Sequence, residues 1–170
     1  MSSLDIFLLV MVDLGVSTPY DLRERAGLSP GATIPALRRL QSRGYIKAGQ
    51  TGSRGRTQYS ATPKGKSHLQ EHRDEHLGRV PDDVDGILRL AALFNARDRV
   101  GLRRFMQKAA ARRKKSAKMH LSQAEHLSFP LEQTPADRYR WMKQRLDAAR
   151  EMAEATALAR LVKEINSKSR

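Results

Sequence analysis

Two stretches of this 170-residue chain hold residue types that could do chemistry. The first is "GYIKAGQTGSRGRTQYSATPKG", residues 44–65, in which Gly49, Gly52 and Gly55 alternate with Arg54 and Arg56. Glycine allows tight turns and close backbone approach, and arginine supplies positive charge. Together they hold phosphates either as the cradle of a nucleotide-binding loop or as a finger laid along nucleic acid. A cradle needs Gly, four residues, then Gly-Lys-Ser/Thr opening a helix. Gly65-Lys66-Ser67 supplies the end of that pattern, but the position five before Gly65 is Ser60, and Pro63 breaks the loop. Between Gly49 and Gly55 lie five residues, and Arg56 follows. Neither register works, which leaves the finger.

The second stretch is "HLQEH", His68 to His72, with His76 one turn further. His-x-x-Glu-His is the inverted zinc-protease motif, with both imidazoles on one helical face and Glu71 as the base that would activate zinc-bound water. Those proteases are much larger folds, and so short a match arises by chance. A solvent-facing histidine ladder is the plainer reading, and we expect no catalytic residue, no metal site, no cofactor and no enzyme. The chain has no cysteine, so neither a disulfide nor a thiolate metal site holds it together. That fits a reducing, cytoplasmic setting.

The elements that must position the first stretch follow from local signals. "LDIFLLVMVDLG" has helical spacing and a stop at Gly15; Thr18-Pro19 caps a second helix over roughly 19–26; "GLSPG" turns the chain into a third, ending near Gly44. The short turn makes these last two a helix-turn-helix candidate. Alternation in "YIKA" and "TQYSA" predicts two strands with the Gly/Arg loop as their hairpin, and Thr62-Pro63 caps a fourth helix to about Leu77. Three helices, a hairpin and a helix spell a winged helix-turn-helix. The composition shifts at "GRVPDD", which sets the expected division at 1–80 for the DNA-binding domain and 81–170 for an all-helical dimerisation region. The fold class is thus mostly α with a small β-hairpin.

Charge agrees with nucleic acid as the partner. The net charge is +14, with 12 Lys/Arg against 7 Asp/Glu up to Pro81 and 20 against 11 beyond it. Such a field draws polyanions, double-stranded DNA first and an anionic membrane second, although solubility alone is the blander purpose. The apolar run Ile6 to Val12 is too short to span a bilayer and has no basic segment before it, so neither a membrane span nor a secretory signal is expected there.

With Leu37 at the centre of the buried face of the third helix, Thr33, Leu40 and Gly44 share that face, and Pro35, Arg38, Arg39 and Ser42 point away, with Ile34 and Gln41 on the border. An exposed basic second helix of a helix-turn-helix enters the major groove. There arginine reads guanine through two hydrogen bonds, and Ile34 would meet a thymine methyl. Lys47, Arg54, Arg56 and Lys64 would reach phosphates or the minor groove from the hairpin. A merely solvated arginine face is the competing reading.

These residues resemble the PadR family of bacterial transcriptional regulators. "GATIPALRRLQSRGYI" and "YSATPKG" match the family pattern at Gly31, Pro35, Ala36, Leu37, Leu40, Gly44, Tyr59, Thr62 and Gly65. They depart from it at Ile34, where the family has Tyr, and at Ala32, where it has Thr or Ser. MarR-type winged helices usually carry an Asp-x-Arg pair in the wing, which this loop lacks. The resemblance implies a homodimeric repressor, paired through C-terminal helices and responsive to an aromatic or drug-like small-molecule effector. It extends by layout to "ILRLAALF" and a closing helix with Tyr139-Arg140-Trp141.

In that closing helix Met142, Leu146, Ala149, Ala153 and Thr156 recur at 4-3 spacing, and Leu158, Leu161, Val162 and Ile165 widen the face. We expect dimerisation through Met142, Leu146, Ala149, Ala153, Leu161, Val162 and Ile165, with packing onto the chain's own first helix as the alternative. Trp141, Tyr139, Phe94 and Phe105 are the aromatics that would line an effector cavity or simply pack helices. "RRFMQKAAARRKKSAK", residues 103–118, holds eight cations and reads as a solvated face, a second DNA-contacting surface or a site for acidic partners. A non-specific architectural nucleic-acid binder is the alternative function.

Overall fold

The structure, a computed structural model, describes residues 1–51, 57–76, 79–94, 98–127 and 134–167. They form α1 (Ser3–Asp13), α2 (Pro19–Ala26), α3 (Pro30–Ser42), β1 (Ile46–Thr51), β2 (Thr57–Ala61), α4 (Pro63–His76), α5 (Val84–Ala91), α6 (Arg99–His126) and α7 (Pro135–Ser167). The protein is mostly helical, with one small antiparallel hairpin. No helix among the described residues is long and apolar enough to cross a membrane.

Two compact units divide the chain: Met1–Arg79 with Asp85–Arg97, and Val80–Val84 with Asp98–Arg170. This differs from the division expected at residue 80, because α5 joins the first unit. A short helix with Ile87 and Leu90 fully buried cannot cover its own apolar face. Its continuation, Ala92 to Phe94, meets Val10, Leu14 and Leu69 around a groove of about 590 Å³.

Helix starts in the first unit are set by local chemistry. Ser2 and Asp5 form a reciprocal capping box on α1, Thr18 accepts from the Asp21 amide ahead of Pro19, and Ser29 caps α3 ahead of Pro30. Pro35 inside α3 has no N–H for the carbonyl one turn back, and it lies on the exposed side of the helix. Gly44, at φ +72°, ends α3 and lets the chain enter β1.

The core of this unit is a cluster of Leu8, Leu9 and Val12 from α1, Val16, Leu22 from α2, Ala36, Leu37 and Leu40 from α3, and Ile46 from β1. Each such leucine is worth roughly 1.5–3 kcal/mol on burial, so α3 is held to the core by one side only. The hairpin pairs Ile46 with Ala61, Lys47 with Ser60 and Ala48 with Tyr59, then becomes irregular towards Thr51. It is tied to the α1–α2 connection by the Tyr59 amide, which donates to the Ser17 carbonyl at 2.8 Å.

The entry to α4 explains a second glycine. The Thr62 hydroxyl donates to the Gly44 carbonyl at 2.7 Å and accepts from the Gly65 amide at 3.1 Å. A Cβ on Gly65 would stand 2.2 Å from the Tyr45 carbonyl oxygen. Only glycine lets α4 come this close to the start of the hairpin.

The second unit is an antiparallel helix pair. Arg113 bonds Glu151 and His120 meets Gln144, so seven residues forward on α6 match seven backward on α7. The seam is narrow: Ala109, Ala117 and Ala124 on α6 and Ala148 and Ala155 on α7 are buried along it, with Phe105, Met106, Leu158 and Val162 at the wider end. In its middle the buried Arg113 guanidinium meets Glu151 at 3.1 Å and Glu154 at 3.2 Å.

Candidate functional site

On α3, Thr33, Ala36, Leu37 and Leu40 are buried, whereas Gly31, Ala32, Ile34, Pro35, Arg38, Gln41 and Ser42 are exposed. Ile34, Arg38 and Gln41 stand one turn apart in a row along the outer face. Arg38 makes no ion pair among the described residues, and its side chain is on offer to an external acceptor. Ser42 is exposed and donates to its own helix, at the Arg39 carbonyl.

Arg39 behaves differently from the expectation that it projects freely. Its guanidinium donates to Asp5 on α1 at 2.6 Å, with the arginine side chain 47% exposed and the aspartate only 5%. Burial alone would raise the Asp5 carboxyl. The Arg39 hydrogen bond, the bonds from the Ser2 amide and hydroxyl region of the cap, and the Arg39 charge outweigh it and hold the pKa below the usual carboxylate value. Arg39 is therefore engaged in fixing α3 against α1. The two arginines are not an equivalent pair.

Lys47 is exposed on β1, opposite Ser60. Lys64 donates to the Arg43 carbonyl at the end of α3 at 2.9 Å, with its ammonium 5.2 Å from the centre of the Tyr45 ring. A cation there suits the negative end of the helix, so Lys64 helps to terminate α3 while remaining at the surface. Arg54 and Arg56 lie outside the described residues. Sequence reasoning left Gln41 on the border and did not single out Arg43, yet both are exposed beside Arg38 and Lys64. An amide at the position three after Arg38 was the available signal, since Gln pairs with adenine edges in the way Arg pairs with guanine.

His68 and His72 of α4 do not form a solvent-facing ladder, and the His76 side chain lies outside the described residues. His68 stacks on Tyr45, with ring centres 4.4 Å apart and planes within 5°, and His72 meets His68 edge-on at 4.3 Å. Their Nδ1 atoms face Glu71 and Glu75 of their own helix. Among the described residues no group of three His, Cys, Asp or Glu is placed to hold a metal ion.

On α7 two 4-3 stripes share one helix. Gln144, Ala148, Glu151, Ala155, Leu158, Val162 and Ile165 lie on the side that packs against α6. Met142, Leu146, Ala149, Ala153 and Thr156 lie on the opposite side and are exposed, Leu146 by 70%. Val162 and Ile165, expected in a dimer seam, instead belong to the intramolecular one, because α6 takes the more buried of the two stripes. Leu161 is exposed by 39%. Of the aromatics, Phe94 belongs to the first unit, and Phe105, Tyr139 and Trp141 to the second. Phe105 is fully buried, Tyr139 is exposed, and Trp141 lies beneath the Arg145 guanidinium.

Compared with known proteins, the chain matches no protein-family model, and no curated protein matches it significantly.

Proposed function

We propose that this protein is a winged helix-turn-helix, sequence-specific transcriptional regulator of the PadR kind, acting in the cytoplasm as a homodimeric repressor on double-stranded DNA. The observation that carries the reading is the outer row of α3. A helix anchored to the core by Ala36, Leu37 and Leu40 presents Ile34, Arg38 and Gln41 as an exposed row along one flank, one turn apart. An apolar contact, a fork of donors and a carboxamide in line are the side-chain types that read thymine, guanine and adenine edges in the major groove. The exposed Lys47 and Arg43 supply further charge for phosphates, and the hairpin serves as the wing.

Arg39 has a different role in this scheme. Its bond to Asp5 sets the rotation of the reading helix, and specificity falls on Arg38 and Gln41. The exposed α7 stripe at Met142, Leu146, Ala149 and Ala153 pairs with its equivalent in a second copy, which supplies the two reading helices that two half-sites require. A small-molecule effector acting on the paired helices would shift the separation of those reading helices.

The test is a gel shift on the duplex upstream of the protein's own coding sequence. Arg38→Ala should weaken binding there by roughly ten- to a hundredfold, equivalent to about 1–3 kcal/mol, with less effect on a scrambled duplex. Equal retention of both probes by wild type and variant would remove this reading.

A further inference from the structure

Between Asp98 and Glu125 the chain carries Arg99, Arg103, Arg104, Lys108, Arg112, Arg113, Lys114, Lys115 and Lys118 and not one acidic residue. A helix that only keeps a protein in solution gains by mixing signs at i,i+4 and loses by repeating one sign. α6 repeats one sign. The cost of that self-repulsion has to be offset by something the helix meets.

The cations are also ordered. Arg104, Lys108, Ala111, Lys115, Lys118 and Ser122 recur at alternating steps of four and three and are exposed. They run along the side opposite Met106, Ala109, Arg113, Ala117 and Ala124, which are buried. Arg104, Lys115 and Lys118 make no ion pair among the described residues. Arg112, on the flank, pairs with Asp82, and Arg113 is consumed by Glu151 and Glu154. From Arg104 to Lys118 the ridge is about 21 Å long, or about six base steps along one strand of a duplex.

We propose that this ridge is a second duplex-binding surface, which grips phosphates without reading sequence through Arg104, Lys108, Lys115 and Lys118. It goes beyond the reading of α3, since it needs neither base contacts nor the hairpin. A line of like charge interrupted by small Ala111 alone matches a regular line of phosphates. A membrane surface is a poorer fit, because an interfacial helix inserts a continuous apolar face, and that of α6 packs against α7 while its exposed Val100, Met119 and Leu121 are scattered around the helix. An acidic protein partner is poorer too, because stable protein interfaces centre on buried aromatic or aliphatic anchors and this ridge has none.

The experiment is fluorescence anisotropy of the full chain on a scrambled duplex across a salt series. Variant R104Q/K108Q/K115Q/K118Q is compared with R138Q/R140Q/R160Q/K163Q, which removes the same charge from exposed positions of α7. Both are checked for native Trp141 fluorescence. If each ridge cation meets a phosphate, the slope of log K against log salt shrinks by up to about 3.6 in the ridge variant, and by at least about 1.8 if half of them do. The α7 variant keeps the wild-type slope within about 1.

An unchanged slope in the ridge variant, an equal loss in both variants, or no duplex binding by wild type overturns the proposal. Ridge-dependent binding to phosphatidylserine vesicles with unaltered duplex binding overturns it in favour of a membrane. The two readings fail separately. A changed ridge slope without discrimination between own and scrambled DNA removes the α3 reading alone, and discrimination with an unchanged ridge slope removes the ridge alone.

Discussion

The two units solve the same problem with different materials. The first buries leucines, valines and an isoleucine from four elements around one centre, and keeps its charged side chains at the rim, with Asp5 as the buried exception. The second has two helices, a seam made largely of alanine, and a buried arginine shared by two glutamates. Aliphatic packing gives the first unit its stability and leaves one face of α3 idle. Alanine brings α6 and α7 close but specifies register weakly, so the charged cluster has to set it, and both helices keep long outer faces exposed. The surfaces proposed for function are what each construction leaves over.

The largest effect that would break this contrast is expected in the helix pair. Arg113→Ala should cost about 3–5 kcal/mol of stability of the α6–α7 pair, because the buried Glu151 carboxylate and the half-buried one of Glu154 lose their counter-ion. Urea unfolding followed through Trp141, the one tryptophan of the chain and a member of α7, reads this unit. Replacing the pair together, as R113M/E151L, should return most of the loss while permitting other registers. If R113A unfolds at the wild-type midpoint, the charged cluster does not hold the seam.

A smaller effect is expected on the outer stripe of α7. Leu146→Glu should weaken self-association by about 100-fold, near 2.7 kcal/mol, by placing a charge in the proposed pairing face. The same change should leave the stability of the isolated subunit within about 0.5 kcal/mol, since the side chain is already in water. Sedimentation velocity across a concentration series measures the first and urea unfolding the second. A dimer of unchanged strength would show that the stripe lies idle.

The smallest effect concerns the one buried charge among the described residues of the first unit. Asp5 has its pKa lowered in the fold, so it binds protons less readily there than in the unfolded chain. Its stabilising contribution is complete above the unfolded value near 3.9 and is lost as pH falls through the folded value. In Arg39→Ala the burial that raises the carboxyl persists while the largest opposing bond is gone, so its pKa should rise. The variant should be less stable by about 1 kcal/mol at pH 7, and the gap to wild type should close as pH drops towards 3. A gap of constant size across that range would mean that Arg39 supports α3 by packing rather than through Asp5.

Much of this was legible without coordinates. Thr18-Pro19 and Thr62-Pro63 announce two helices because caps act within one turn, and the turn "GLSPG" placed the start of α3 to within two residues. The buried side of α3 followed from Leu37 and Leu40, whose one-turn spacing leaves a single way to face a core. The unequal fates of Arg38 and Arg39 were not legible, because Asp5 lies 34 residues from its partner and nothing local links them. Nor was the choice between the stripes of α7. Both have the spacing of a helical seam, and the one with more polar residues, Gln144 and Glu151, was chosen because His120 and Arg113 of α6 stand opposite them.

By itself, then, the amino-acid order determined where helices begin and end, where the hairpin falls, and that the charge is positive throughout. These depend on backbone preferences, one-turn periodicity and simple counting, all of which act over a few residues or over none. Tertiary structure alone decided which of the two arginines binds Asp5, which face of α7 is left exposed, and that α5 belongs with the first unit. Each of those outcomes is a competition between distant surfaces for the same partner, and only packing in three dimensions resolves it.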